Sequence, residues 1–302
     1  MKAEKIWMDG KVIDWDKAVV HVCTHALHYG SAIFEGIRAY EADQGTGIFR
    51  LRDHIDRLFN SAKIFKMETS YNKQQISEAI KNMIKINQLK SCYIRPLIFR
   101  GYKELGVNPL NCPVKCMIAV WKWGAYLGED GLTRGIKTKI SSYARNYINS
   151  TSQKAKISAN YVNSIFAKIE AIESGADEAI LLDTEGYVTE GSGENVFWIR
   201  DGIIYTTPTN TVLEGITRDS VIHIAKENGY QVIEKRTGRD ELYIADEVFF
   251  TGTAAEVTPI REIDKYQIGS GTMGPITQEI QRIFFDITRG KEKKYKKWLE
   301  YI

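Results

Sequence analysis

Hydrophobic and polar positions change period several times along the chain, and each change marks an element. Ile6-Trp7-Met8 and Lys11-Val12-Ile13 flank Asp9-Gly10, a dipeptide that readily takes the positive φ angles of a tight primed turn, so this spacing predicts a hairpin. Extended segments follow at 33–40 and 47–51. Helical spacing takes over at 53–65 and again at 71–88, where Ile76, Ile80, Met83, Ile84 and Ile86 lie largely along one stripe and Asn72 stands in an N-cap position. Residues 93–99 and 114–123 read as strands, which gives a strand-rich layer carrying two helices.

Residues 124–135 contain four glycines and little periodic apolar pattern, the composition of a linker. The pattern thus predicts a small N-terminal α/β domain over 1–124, a linker over 125–135 and a larger C-terminal domain over 136–302. The second domain opens with a helix at about 160–173 ending at Gly175 and a strand at 179–182. Hairpin signals at Glu185-Gly186 and Asp201-Gly202 come next, then a helix at about 217–228. The charge run Lys-Glu-Lys-Lys-Tyr-Lys-Lys at 291–297 reads as a solvated terminal helix.

Composition narrows the function classes. The 302 residues are 43% apolar and 26% charged, an ordinary globular balance. A net charge of +3, from 41 basic and 38 acidic residues, is too small to argue for a nucleic-acid or membrane partner, which leaves small molecules. With no apolar run long enough for a span and no apolar leader, the chain is read as cytoplasmic. Cys23, Cys92, Cys112 and Cys116 are too few and too scattered for a disulfide framework, so reduced thiols are expected.

Two local features suit an anion. Residues 213–219, Leu-Glu-Gly-Ile-Thr-Arg-Asp, deliver a glycine turn into a helix start; this is either a phosphate cradle or a plain helix N-terminus capped by Thr217. The loop Thr251-Gly252-Thr253-Ala254-Ala255 follows a strand at 247–250 and lets a ligand approach the backbone closely. Neither has the spacing of a P-loop or a dinucleotide fold, and Gly191-Ser192-Gly193 is not a serine-hydrolase elbow. His21, His25 and His28 share one helical face, as a metal cluster or as hydrogen-bonded structural histidines, and no further ligand is picked out, so no metal is expected. Lys156, just before the helix at 160, could be a half-buried, imine-forming amine or an ordinary surface lysine.

Taken in order, eight blocks resemble the class IV (fold-type IV) pyridoxal-phosphate aminotransferases, most closely their L-branched-chain branch. They are 25–30 with 34–38, 54–58, 93–96, 123–128, 156–161, 189–195, 213–219 and 252–256. The resemblance implies a mixed α+β fold of the D-amino acid aminotransferase type, with a small α/β domain, a larger β-barrel-like domain and pyridoxal 5'-phosphate between them. It implies that Lys156 anchors the cofactor as an aldimine and later carries a proton between the substrate Cα and the cofactor. Glu190 would pair with the pyridine nitrogen and Tyr161 with the phenolic oxygen. Arg57, Gly215, Ile216, Thr217 and Thr253 would hold the phosphate. Tyr93, Thr253 and Ala254 would take the substrate α-carboxylate and Arg95 the second carboxylate of glutamate. Phe34, Tyr126 and Tyr161 would wall an aliphatic pocket, joined by Tyr29 from a partner subunit.

The implied reaction is reversible ping-pong amino transfer between L-leucine, L-isoleucine or L-valine and 2-oxoglutarate, in a homodimer or homohexamer. The alternatives within the fold are D-amino acid transamination and aminodeoxychorismate lyase chemistry, against which the Tyr93-Ile94-Arg95 triplet and Gly-Val-Asn-Pro at 106–109 argue. Ile-Ser-Ala after Lys156, where many relatives have smaller residues, and Lys122 before Trp123, where proline is frequent, depart from the family's pattern and bear on side-chain preference.

Overall fold

The computed structural model describes residues 2–124 and 126–302; Ala125, inside the resemblance block at 123–128, lies outside the described residues. The chain divides into two compact units, one of Met1–Trp123, Ala155–Ala159 and Ile287–Ile302, the other of Gly124–Lys154 and Asn160–Asp286.

The first unit is built on an antiparallel sheet ordered Leu299–Tyr301, Gly45–Phe49, Ile37–Ala42, Cys92–Arg100, Val114–Trp121, Lys5–Met8 and Lys11–Asp14, with Ala32–Phe34 also paired to Cys92–Arg100. The opening hairpin forms as its turn residues dictate: Asp9 and Gly10 have φ of 46° and 83°, the two positive values of a type I′ turn. Helices Leu51–Ile64 and Lys73–Ile86 lay their apolar stripes on the sheet, burying Leu58, Ile76, Ile80, Met83 and Ile84 completely. Asn72 caps the second of them in a reciprocal box, its side chain accepting from the Gln75 N–H while the Gln75 side chain accepts from its own.

Two segments expected in the C-terminal domain belong to this first unit. Ala155 and Ile157 are buried in its core, and Ile157 forms an antiparallel bridge with Ile33. The Lys156 backbone is tied on both sides, its N–H donating to Ser61 Oγ at 3.0 Å and its carbonyl accepting from the Phe34 N–H at 3.1 Å. The basic C-terminal run is not a solvated α-helix either. Lys293–Trp298 is a 3₁₀ turn that buries Tyr295 and Trp298, and Leu299–Tyr301 then adds an edge strand against Gly45–Phe49. The lysines alternate with aromatics that need cover, and the apolar residues decide the outcome.

The second unit contains a nine-stranded sheet that closes on itself. Val188–Gly191, Glu178–Leu182, Ile136–Ala144, Glu256–Ile263, Glu247–Gly252 and Asn195–Arg200 follow one another, and the pairing of Glu190 with Asn195 closes the ring. Alternate residues fill the barrel: Ile180 and Leu182, Val196 and Trp198, Val248 and Phe250 share one cluster with Ile136, Ile140 and Ile260. The opposite faces of Ala179 and Leu181 are covered by Ala167 and Ala171 of helix Tyr161–Glu173, which explains the unbroken apolar run there. The glycine-rich stretch read as a linker contains a short helix, Glu129–Arg134, with Gly131 buried.

Candidate functional site

In the first unit, the break between strands Ala32–Phe34 and Ile37–Ala42 falls at Glu35-Gly36. Gly36 is required there, because any Cβ would collide with the Tyr93 hydroxyl. Glu35 has no solvent exposure. Arg57 grips it with two hydrogen bonds, Nε to Oε1 at 2.6 Å and Nη2 to Oε2 at 2.9 Å, and His54 Nδ1 lies 2.8 Å from Oε2. His54 and Arg57 are three apart on helix Leu51–Ile64, so one helical face presents both to the carboxylate. Burial alone would raise the pKa of Glu35, but the Arg57 charge and the His54 hydrogen bond hold its carboxyl well below the usual range. Burial also pushes His54 down, so a neutral imidazole donates to an anionic Glu35.

Tyr93 and Arg95 project from one face of strand Cys92–Arg100, and Arg95 Nη2 donates to the Tyr93 hydroxyl at 3.2 Å. The Phe34 ring has two cations near it, the Arg95 guanidinium at 4.5 Å and Lys156 Nζ at 5.1 Å. Lys156, Phe34, Tyr93 and Arg95 are therefore one cluster. The Arg95 Nε is buried with no hydrogen-bond acceptor among the described residues, a donor suited to a carboxylate guest. Tyr29 ends the short helix His25–Tyr29, packs on the His25 ring and is 45% exposed.

In the second unit, Glu190 and Asn195 face each other at the barrel closure. Arg145 Nε donates to Glu190 Oε1 at 2.8 Å, and Asn195 Nδ2 reaches Glu190 Oε2 at 3.4 Å and the Leu213 carbonyl at 3.1 Å. Asn195 thus links the carboxylate to the turn at 213–217. Gly215 allows that approach, because a Cβ there would strike the Asn195 amide oxygen.

The turn enters helix Ile216–Glu227 with Gly215, not Thr217, as N-cap and with no side-chain cap. A threonine cap would need its side chain outside the helix, whereas Thr217 is inside the first turn and 4% exposed. The first intrahelical bond runs from Asp219 N–H to the Gly215 carbonyl, which puts the N–H groups of Ile216, Thr217 and Arg218 ahead of it at a buried helix start. Thr253 and Ala254 form the turn between strands Glu247–Gly252 and Glu256–Ile263, next to Thr251, which pairs with Asn195. Glu190, Asn195, the 213–217 turn and the 253–254 turn accordingly gather at one end of the barrel. Tyr161 starts helix Tyr161–Glu173, and Tyr126 is 43% exposed with Lys168 Nζ 5.8 Å from its ring centre.

Four side chains that hydrogen-bond within these clusters carried no assignment from sequence. Glu35 stands within a quoted block and His54 three residues before Arg57, so helical spacing is a usable signal for the latter. Arg145 and Asn195 are joined to Glu190 by strand pairing, which leaves no local mark. Glu194 is a further buried carboxyl, pushed up to about 8 by burial and by repulsion from Glu178, against the Gly193 N–H and Lys168.

The histidines do not gather. His25 bonds Ser31 Oγ at 2.7 Å and the Gly106 carbonyl at 2.8 Å, His28 bonds the Val22 carbonyl, and His21 accepts from the Cys23 N–H. Among the described residues no group of three or more His, Cys, Asp or Glu is arranged to hold a metal ion, and no helix is long and apolar enough to cross a membrane. The four cysteines are unbridged, and burial pushes Cys92 and Cys116 up to about 12.

Comparison with known proteins adds sequence-wide likeness to this geometry. The family model described as Amino-transferase class IV matches residues 32–263. The chain is 50% identical over 293 residues to a branched-chain-amino-acid aminotransferase of Pseudomonas aeruginosa, covering 97% of this chain and 95% of that one. It is 45% identical to the protein of the same name from Escherichia coli strain K12, covering 100% and 98%. A solved structure of the T.th. branched-chain amino acid aminotransferase with pyridoxamine 5'-phosphate superposes with a TM-score of 0.97 at 52% identity, covering 100% of this chain and 99% of that one.

Proposed function

The chain belongs to the class IV amino-transferases, and we propose from that membership that it transfers the amino group reversibly between L-leucine, L-isoleucine or L-valine and 2-oxoglutarate, using pyridoxal 5'-phosphate. The observation that carries this reading is the near-full-length likeness to branched-chain-amino-acid aminotransferases at 45–50% identity. The cofactor fits the donors present. A buried, uncapped helix start suits a phosphate, a buried carboxylate suits a pyridinium, and a primary amine suits the aldehyde. When bound, pyridoxal phosphate supplies the electron sink that stabilises the carbanion left after the substrate Cα loses its proton.

The side chains then divide the work. Lys156 would be the covalent anchor, and its Nζ would hold the substrate Cα proton and return it. Its backbone is fixed by Ser61 and Phe34, so the amine is delivered from a rigid stem. Glu190 would hold the ring nitrogen and Tyr161 the phenolic oxygen. The N–H groups of Ile216 and Thr217, the Gly215 turn, Thr253 and Arg57 bind the phosphate; Glu35 fixes the Arg57 guanidinium for that contact.

Tyr93, Thr253 and Ala254 receive the substrate α-carboxylate. Arg95, stacked on Phe34 and carrying a buried unsatisfied Nε, takes the second carboxylate of glutamate, and Phe34, Tyr126 and Tyr161 line the space an aliphatic side chain fills. An apolar wall discriminates one methylene only weakly, so all three branched substrates react.

We also propose a homo-oligomer, with Tyr29 reaching the partner subunit's site, and a cytoplasmic location. The half-exposed ring of Tyr29 supports the first, and three buried thiols support a reducing compartment. Absorbance spectroscopy tests the activity: the protein loaded with pyridoxal phosphate loses its yellow band on addition of L-isoleucine without an oxo acid, and regains it with 2-oxoglutarate. A response to D-alanine alone would overturn the substrate assignment.

A further inference from the structure

We propose that Arg145 is a positioning residue for amino transfer: its guanidinium keeps Glu190 ionised and aimed, so that the proton shared with a bound pyridine ring resides on the ring nitrogen. The proposal rests on the assignment of Glu190 to that nitrogen.

Arg145 and Glu190 side chains are 9% and 7% exposed, and their contact is 2.8 Å, so the attraction is little screened by water. The other acceptors of Arg145 are neutral, Asn163 Oδ1 and Ser164 Oγ, both at 3.3 Å from Nη1. Its positive charge is therefore directed at Glu190. The Arg145 backbone is also held, its N–H donating to the Leu182 carbonyl at 2.7 Å. Asn163 Nδ2 in turn donates to the Ala144 carbonyl, so one of the residues seating the guanidinium is itself anchored.

The surroundings otherwise work against a charged Glu190. Glu194 is buried nearby, and the repulsion between Glu190 and Glu194 is one reason the latter holds its proton up to about 8. Burial and a neighbouring acid both disfavour a carboxylate's charged form. In its neutral form Glu190 would keep the proton that the ring nitrogen needs to act as an electron sink. Arg145 tips this choice, because a cation at one oxygen favours the ion pair over the neutral pair at the other.

The test uses holoenzyme reconstituted with pyridoxal phosphate labelled with ¹⁵N in the ring, for the wild type, Arg145→Met, Arg145→Lys and Glu190→Gln. The nitrogen resonance reports protonation directly, and a purely structural role would not move it. Arg145→Met is expected to shift it from the protonated toward the unprotonated position, with Arg145→Lys restoring it at least in part. The kcat should fall about tenfold or more, the effect of one pK unit in the electron sink, while KM for L-leucine changes less than about twofold. A protonated-nitrogen signal retained in Arg145→Met would overturn the proposal. Should that variant not fold, Arg145→Gln, which keeps a donor and removes the charge, carries the same two outcomes. If Glu190→Gln leaves the resonance unmoved, the assignment of Glu190 itself fails; if it moves while Arg145→Met does not, that assignment stands and only the role of Arg145 falls.

Discussion

Each unit buries a glutamate against an arginine, and the two pairs are built differently. Glu35 is saturated: both oxygens are held by Arg57, and His54 adds a third donor. Glu190 has a short contact to Arg145 at Oε1 and a 3.4 Å contact to Asn195 at Oε2. In the function proposed above, the first arrangement fixes an arginine for a ligand and the second fixes a carboxylate, with the arginine behind it. On that proposal a buried ion pair serves either charge.

The comparison breaks most visibly when one carboxylate is removed. Glu35→Ala leaves Arg57 and His54 without their buried acceptor, so a stability loss of about 3–5 kcal/mol is expected in a denaturant titration of the cofactor-free protein. Glu190→Gln keeps shape and an acceptor for Arg145 but leaves that charge unpaired, so stability falls by less than in Glu35→Ala while turnover falls about a hundredfold, the equivalent of about 3 kcal/mol in the transition state. Equal effects of the two substitutions on stability and on turnover would erase the distinction.

A smaller effect sharpens it. Arg95→Ala removes a charged donor stacked on Phe34, so KM for 2-oxoglutarate should rise about 10- to 100-fold, matching about 1.5–3 kcal/mol for a hydrogen bond to a charged group. The half-reaction with L-leucine should stay near its wild-type rate, which stopped-flow absorbance measures.

The smallest effect is a slope. Glu194 is raised in the folded chain from 4.5 to about 8, so between those pH values the folded state binds a proton that the unfolded state has lost. Its contribution therefore makes stability fall as pH rises through that window. Glu194→Gln should flatten the dependence, read from melting temperatures across pH 5 to about 8. Glu35 contributes with the opposite sign, stability present above the usual carboxylate range and lost as pH falls through its depressed value.

What the sequence made legible was local. The Asp9-Gly10 turn, the Asn72 cap and the stripe from Ile76 to Ile84 depend on neighbours within a few residues, and all three form as read. The glycine turn into a helix start at 213–217 was legible, although the residue offered as its cap, Thr217, lies two positions past the actual N-cap, Gly215. Long-range pairing was not legible. Nothing near Lys156 announces that Ile157 bridges to Ile33, and nothing near Lys297 announces an edge strand at 299–301. The partners of the two buried carboxylates share that limit: Arg57 and Glu35 are 22 residues apart, Arg145 and Glu190 45. The resemblance supplied Lys156, Glu190 and Arg57, while Glu35, His54, Arg145 and Asn195 emerged only once the sheets were paired.

The central claim is that Lys156 is the cofactor's anchor. Its most direct test is reduction of the pyridoxal-phosphate-loaded protein with borohydride, followed by digestion and mass mapping of the labelled peptide. A single phosphopyridoxyl label is expected, on Lys156, that disappears in Lys156→Ala along with turnover; a label on another lysine, or unchanged turnover in Lys156→Ala, would contradict that assignment.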